Sequence, residues 1–177
     1  MSVRPLCTEP HPVLRMKARR IETFGEGLRR LARDLIETMY ANDGIGLAAP
    51  QIGEDVQVFV ANPSQEQGQE LVVINPVLEA VNGRAAIVEG CLSLPDIWER
   101  VKRSARVRVS GQDLRGKPLA VESGGLLAIV LQHEFDHLQG RLFVDRLAWY
   151  RRRLIALRGT CGRRRGARRS NRSAARG

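Results

Sequence analysis

The chain has 177 residues, 43% of them hydrophobic, and a formal net charge of +10. That length carries one domain with a sizeable core. No run approaches the ~20 apolar residues of a membrane span, the N-terminus lacks the apolar core of a signal peptide, and three cysteines without framework spacing argue against structural disulfides and for a reducing compartment, which together point to a cytoplasmic protein. The charge is unevenly placed. Eleven of the 29 Lys and Arg residues lie at or beyond Arg151, where no acid occurs, so 18 basic face 19 acidic residues before it.

In chain order, residues 1–22, with Pro5, Pro10 and Pro12, are expected to be irregular. Thr23-Phe24-Gly25-Glu26 has the form of a capping box. Leu28, Leu31, Ala32, Leu35, Ile36 and Met39 follow at helical spacing, opposite Arg29, Arg30, Arg33 and Asp34, and Asn42-Asp43-Gly44 ends that amphipathic helix. Residues 44–53 read as a glycine-rich loop, either a tight turn or a place where backbone comes close to a ligand. Residues 56–61 and 71–76 read as strands. Residues 76–81 continue extended, Asn82-Gly83 is a hairpin signal, and residues 84–88 return into Glu89-Gly90-Cys91. Residues 101–110 and 119–122 supply further strands. Gly124-Gly125, an apolar run over 126–131 and then Gly140 bound a second helix. Residues 142–144 are expected to be extended, residues 147–157 a weakly amphipathic helix, and the Arg, Gly, Ala and Ser composition from Arg158 predicts little fixed structure.

The second helix carries His133-Glu134-Phe135-Asp136-His137. Positions i and i+4 share a helix face, so both imidazoles can point at one ion, and Glu134 stands where a carboxylate reaches a water beside it. A catalytic site of this kind takes three protein ligands and an open position. No Glu follows Glu134 and no His follows His137, so the downstream third ligand of the familiar zinc peptidases is missing. The remaining candidates are Cys7, His11, Cys91 and Cys161. Cys91 fits best, since it lies in Glu89-Gly90-Cys91-Leu92-Ser93-Leu94-Pro95, whereas Cys7 and His11 sit in a proline-rich lead-in and Cys161 among arginines. The expected fold is α+β, with small antiparallel or mixed sheets packed around a central metal-binding helix. Residues 1–147 would form the catalytic domain and 148–177 an arginine-rich helix and tail. Glu89 is expected to hold its loop, Asp136 either to orient a ligand or to be an exposed helix acid, and Arg103 to be a solvated strand-face arginine.

Three motifs stand in order: Gly44-Ile45-Gly46-Leu47-Ala48-Ala49-Pro50-Gln51, then Glu89-Gly90-Cys91-Leu92-Ser93, then His133-Glu134-Phe135-Asp136-His137. Together they closely resemble the signature motifs of bacterial peptide deformylases, over the chain from its N-terminus to about Arg146. The resemblance implies Fe²⁺ as the ion, with Zn²⁺, Ni²⁺ or Co²⁺ able to substitute, held by Cys91, His133 and His137. It implies Glu134 as general base, and the Gln51 amide and Leu92 N–H as donors to an oxyanion. It also implies backbone bonds from Gly46 and Gly90 to an extended peptide, and a methionine pocket of Ile45, Leu126, Ile129 and Val130; by residue type alone those four could equally be core. The implied substrates are N-formylmethionyl peptides, which emerge on ribosomes. The basic tail then reads either as a contact to ribosomal RNA or as a solvated extension, and the resemblance does not reach it. Two rival readings are a metal-dependent endopeptidase, which shares the His-Glu-x-x-His pattern, and a nucleic-acid-binding protein working through its tail.

Overall fold

The computed structural model describes residues 3–157; Cys161 and the arginine-rich segment from Arg158 onward lie outside the described residues. The chain divides into two compact units, Met1–Phe143 and Val144–Gly177. In the second unit residues 149–157 are helical, Arg152 pairs with Asp145 at 3.3 Å, and the rings of Trp149 and Tyr150 meet edge to face.

The first unit is built on a meander. Strands β1 (Gly46–Ala48), β2 (Val58–Ala61), β3 (Leu71–Cys91), β4 (Leu94–Gln112) and β5 (Pro118–Gly124) pair antiparallel in sequence order to make one five-stranded sheet. With helices α1 (Glu26–Ala41) and α2 (Gly125–Leu138) against it, the α+β expectation is borne out. Val58, Phe59, Val60 and Ala61 are all buried, as a strand covered on both faces requires. They feed two clusters. One joins Ala48, Phe59, Val107, Val109, Val130, Leu131 and Leu138 around α2; the other joins Leu28, Leu35, Met39, Leu47 and Val60 around α1.

The long β3–β4 hairpin departs from the sequence expectation. Asn82-Gly83 is not its turn. Gly83 has φ +69° and lies beside a register shift between Ala80 and Asn82, so the pair sits at a bulge that bends a continuing strand. The turn comes at Leu92 and Ser93, closed by the pair Cys91–Leu94. Pro76 lies inside the same strand. It lies in the irregularity between Ile74 and Val77, where Asn75, at φ +51°, binds Ile21 and Gln112 through its side-chain amide. Residue 23 does not cap α1 either: the cap is Gly25, with no side-chain bond. Nor are residues 142–144 extended; Phe143–Arg146 is a 3₁₀ turn.

The end of α2 is fastened. The N–H groups of Gly140 and Arg141 return to the His137 and Asp136 carbonyls at 3.1 and 2.9 Å, and the Ala18 N–H takes the Leu138 carbonyl at 3.0 Å. Gly140 is left-handed at φ +68°, and a Cβ there would lie 2.6 Å from the Arg15 carbonyl oxygen. Only glycine fits both constraints. The turn carrying His137 is thereby set against the N-terminal segment.

Candidate active site

Three potential ligand atoms converge. Cys91 enters from the last residue of β3, His133 and His137 from one face of α2, and their ligating atoms all lie within 4.8 Å of one another. Cys91 Sγ is 3.3 Å from His137 Nε2. His133 Nδ1 lies 2.9 Å from Glu89 Oε2, which leaves Nε2 of that ring for an ion. Phe143 stacks on the His133 ring at a centroid distance of 6.1 Å.

Behind His133 lies the feature that sequence reasoning missed. Arg103 is buried, not solvated. Its Nε and Nη2 bond both oxygens of Glu89 at 2.8 Å, and Nη1 bonds Asp136. Glu89, Arg103 and Asp136 come from β3, β4 and α2, and all three are buried. Burial raises the Glu89 pKa, but the hydrogen bonds and charge of Arg103, then those of His133, outweigh it and hold the carboxylate at about 2. Glu89 and Asp136 are thus buried acids with a shared cation, and Glu89 orients a ligand histidine as well. The only sequence hint was phase: Arg103 alternates in step with Val101, Val107 and Val109, but Arg100, Lys102, Arg106 and Arg108 share the strand, so it reads as one more solvated base.

The two histidines are shifted in opposite directions. Burial pushes His133 down, yet hydrogen bonds to Cys91 and Glu89, together with the Cys91 and Glu134 charges, overcome this and raise it well above its usual value. Burial, then the neighbouring charges of His133 and Arg103, push His137 well below. A thiolate with two imidazoles is a donor set for a transition metal or zinc, and an imidazole kept neutral, as at His137, is the form that binds one. Two buried polar atoms at this point have no hydrogen-bond partner: Glu134 Oε2 and His137 Nδ1. The first belongs to the carboxylate next in sequence to His133, at the floor of a cleft. The residues present fit a metal ion.

Burial pushes Glu134 up to about 7, against the pull of the His133 and Arg103 charges. Its Oε1 would lie 2.5 Å from a Cβ on residue 46 and Val130 Cγ1 2.8 Å away, so Gly46 is the residue that lets β1 come this close. Gln51, in the 3₁₀ turn Ala49–Ile52, is 2% exposed. Its Oε1 accepts from the Ala48 N–H at 2.8 Å, which turns Nε2 toward Cys91 Sγ (3.6 Å) and Ser93 Oγ (3.3 Å). The N-terminal strap ties both sides together: the Cys7 N–H donates to the Gln51 carbonyl at 2.8 Å, and the Glu9 N–H to the Ser93 carbonyl at 3.0 Å.

Above this floor opens a cleft of about 690 Å³. Ile45, Gly46, Gln51, Gly90, Cys91, Leu92, Leu126, Ile129, Val130, His133 and Glu134 line it. Every site residue named from the sequence is therefore at the cleft except His137, which lies beneath it, 1% exposed. Leu6, Thr8, Ile87, Ile97 and Trp98 also line it and were not foreseen; no motif marks them. His11 caps the short turn Pro12–Arg15, and Cys7 lies beside Gly53, so neither belongs to the ligand cluster found.

A sequence model of the family described as Polypeptide deformylase matches residues 3–153. A peptide deformylase of Syntrophobacter fumaroxidans is 47% identical over 150 residues, 83% of this chain and 88% of its own length. One from Rhizobium meliloti is 45% identical over 163 residues, covering 90% of this chain and 94% of its own. Among solved structures, a peptide deformylase from Legionella pneumophila superposes with a TM-score of 0.84 at 37% identity, with 99% of each chain covered. One from Synechococcus elongatus, in complex with actinonin, gives 0.77 at 40% identity over 82% of this chain and 79% of the other.

The buried Glu134 makes a pH prediction. In metal-free protein its pKa is raised from 4.5 to about 7. Its contribution to stability is then fully present below pH 4.5 and is lost as pH rises through about 7. Urea denaturation of chelator-treated protein should show Glu134→Gln and wild type alike near pH 4.5, with the variant gaining on the order of 1–3 kcal/mol relative to wild type by pH 8.5. A gap that does not change with pH would contradict the assignment.

Proposed function

The chain belongs to the peptide deformylase family, metal-dependent hydrolases that remove the N-terminal formyl group from formyl-methionyl nascent peptides, and from that premise we propose which side chain does what. Cys91, His133 and His137 hold the ion. The proposed ion is Fe²⁺, with Zn²⁺, Ni²⁺ or Co²⁺ able to substitute, a range compatible with one thiolate and two imidazoles. When bound, it supplies Lewis acidity at the formyl group and lowers the pKa of water.

Glu134 takes the proton of the attacking water. Water adds to the formyl carbon, the C–N bond breaks, and Glu134 returns the proton to the amine nitrogen, giving formate and a free methionyl N-terminus. The Gln51 Nε2 and the Leu92 N–H, on facing elements, donate to the developing oxyanion. The carboxamide of Gln51 is oriented beforehand by the Ala48 N–H, so no reorganisation is needed as charge develops. Gly46 and Gly90 offer backbone to the peptide as an added strand, and Ile45, Leu126, Ile129 and Val130 receive the methionine side chain. The observation that carries this reading is the unpartnered, buried Glu134 Oε2 beside the three converging ligands.

Residues 1–147 are the catalytic domain in this reading, and 148–177 a basic extension of a cytoplasmic enzyme. Among the described residues no helix is long and apolar enough to cross a membrane. The eleven arginines from Arg151 onward would dock on ribosomal RNA by neutralising phosphates. Ribosome pelleting should retain the full chain at low salt and lose it when residues 151–177 are removed; equal co-sedimentation of both would count against the docking.

The catalytic roles are tested with formyl-Met-Ala-Ser. Glu134→Ala should keep its metal and lose about 10²–10⁴-fold in kcat, and Gln51→Ala about 10²–10³-fold. Cleavage at internal peptide bonds without formate would instead support an endopeptidase.

A further inference from the structure

The mouth of the cleft is built differently from its floor. Three large apolar side chains lining it are solvated: Val88 is 56% exposed, Trp98 70% and Leu126 44%. Such side chains gathered at a cleft mouth mark a docking surface, whereas isolated ones need no explanation. The indole is also held in place. Trp98 stands on β4 across the hairpin from Gly90, where a Cβ would lie 2.6 Å from Cζ3, 2.7 Å from Cε3 and 2.8 Å from Cη2. The six-membered ring therefore lies against the bare backbone of Gly90, one residue from the ligand Cys91. Gly90 is not left-handed, so what glycine supplies there is room for the ring.

The charged side chains that line the cleft are acidic, and the nearest base on the Trp98 strand, Arg100, stands outside the lining, across the hairpin from Val88. Although the chain is +10 overall, the described residues lining the cleft include Asp43, Glu89, Asp96 and Glu134 and no Lys or Arg. Glu89 is compensated by Arg103, and Glu134 is buried at the floor. That leaves Asp43 and Asp96, both exposed.

Resting on the deformylase reading above, we propose that Trp98 is a specificity-determining residue: its indole stacks on the side chain of one of the two residues after methionine, and the cleft favours arginine there over glutamate. A guanidinium is planar and weakly hydrated, so it stacks on an indole face, and its aliphatic stem can cover Val88 and Leu126. An exposed cation–π contact is worth about two- to fivefold in affinity. The negative mouth adds a comparable factor and opposes an acidic side chain.

The test uses formyl-Met-X-Ala-Ser and formyl-Met-Ala-X-Ser, with X as Arg or Glu, on the metal-loaded enzyme. At one of the two positions wild type should prefer Arg by about 5–20-fold in kcat/KM. Trp98→Phe should keep at least half of that ratio. Trp98→Ala should flatten it to under about twofold, the change falling on KM for the Arg peptide. A second readout is fluorescence of Trp149→Phe, in which Trp98 is the remaining one of two tryptophans: the deformylated Arg peptide should shift its emission and the Glu peptide should not. Equal rates for Arg and Glu in wild type, or a ratio that survives Trp98→Ala, overturn the proposal. Formate release from formyl-Met-Ala-Ser reports on the deformylase reading separately, so its presence without side-chain preference sinks only the role of Trp98.

Discussion

The site depends on a guanidinium taken out of water. Arg103 is fully buried between Glu89 and Asp136, and each of the three charges would cost several kcal/mol to bury alone. Together, with both Glu89 oxygens bonded in a two-pronged contact, the guanidinium is satisfied by two carboxylates, and Glu89 meets His133 as well. The consequence is geometric. One guanidinium fastens β3, β4 and α2 at the level where β3 delivers Cys91 and α2 delivers two histidines. Glu89 Oε2, already bonded by Arg103 Nη2, also meets His133 Nδ1, so the same ion cluster that joins the elements sets the orientation of a ligand ring.

The sheet converts this local bond into a cleft. The turn of the long hairpin falls just after Cys91, so the ligand and the Leu92 N–H lie at the end of a rigid ladder rather than in a loose loop. Opposite it, β1 ends at Ala48, and the following 3₁₀ turn places the Gln51 amide across from that turn. The strap from Cys7 to Glu9 bonds both sides through backbone alone. Close approach of β1 to Glu134 is possible because residue 46 has no side chain. The Glu134 carboxylate, the Gln51 amide, the Leu92 N–H and the three converging ligand atoms thus come from three segments distant in sequence: α2, the 3₁₀ turn after β1 and the end of the β3–β4 hairpin.

Much of the site was legible because its chemistry demands rare residues at fixed spacing. His133 and His137 could be read from helix periodicity, and Cys91 from a shortage of other ligands. Helix α1, strand β2 and the apolar body of α2 followed from ordinary hydrophobic patterning. The hairpin was misread because Asn-Gly serves a bulge as readily as a turn: both need a left-handed residue. The true turn, at Leu92-Ser93, carries no Gly, Asn or Asp. Arg103 was misread for a different reason. An arginine in an alternating strand is placed inside or outside by its partners, and those partners, Glu89 and Asp136, lie 14 and 33 residues away. Trp98 was invisible because only the register of two strands sets it against Gly90.

The central claim is that a sulfur from the end of β3 and two imidazoles from α2 hold one ion on which formyl removal depends. Metal content of anaerobically purified wild type and Cys91→Ala, measured beside formate release from formyl-Met-Ala-Ser, tests it most directly. The account predicts about one ion per wild-type chain, with both tight metal and formate production lost in the variant. A Cys91→Ala protein that still binds its ion tightly and still releases formate at the wild-type rate would contradict it.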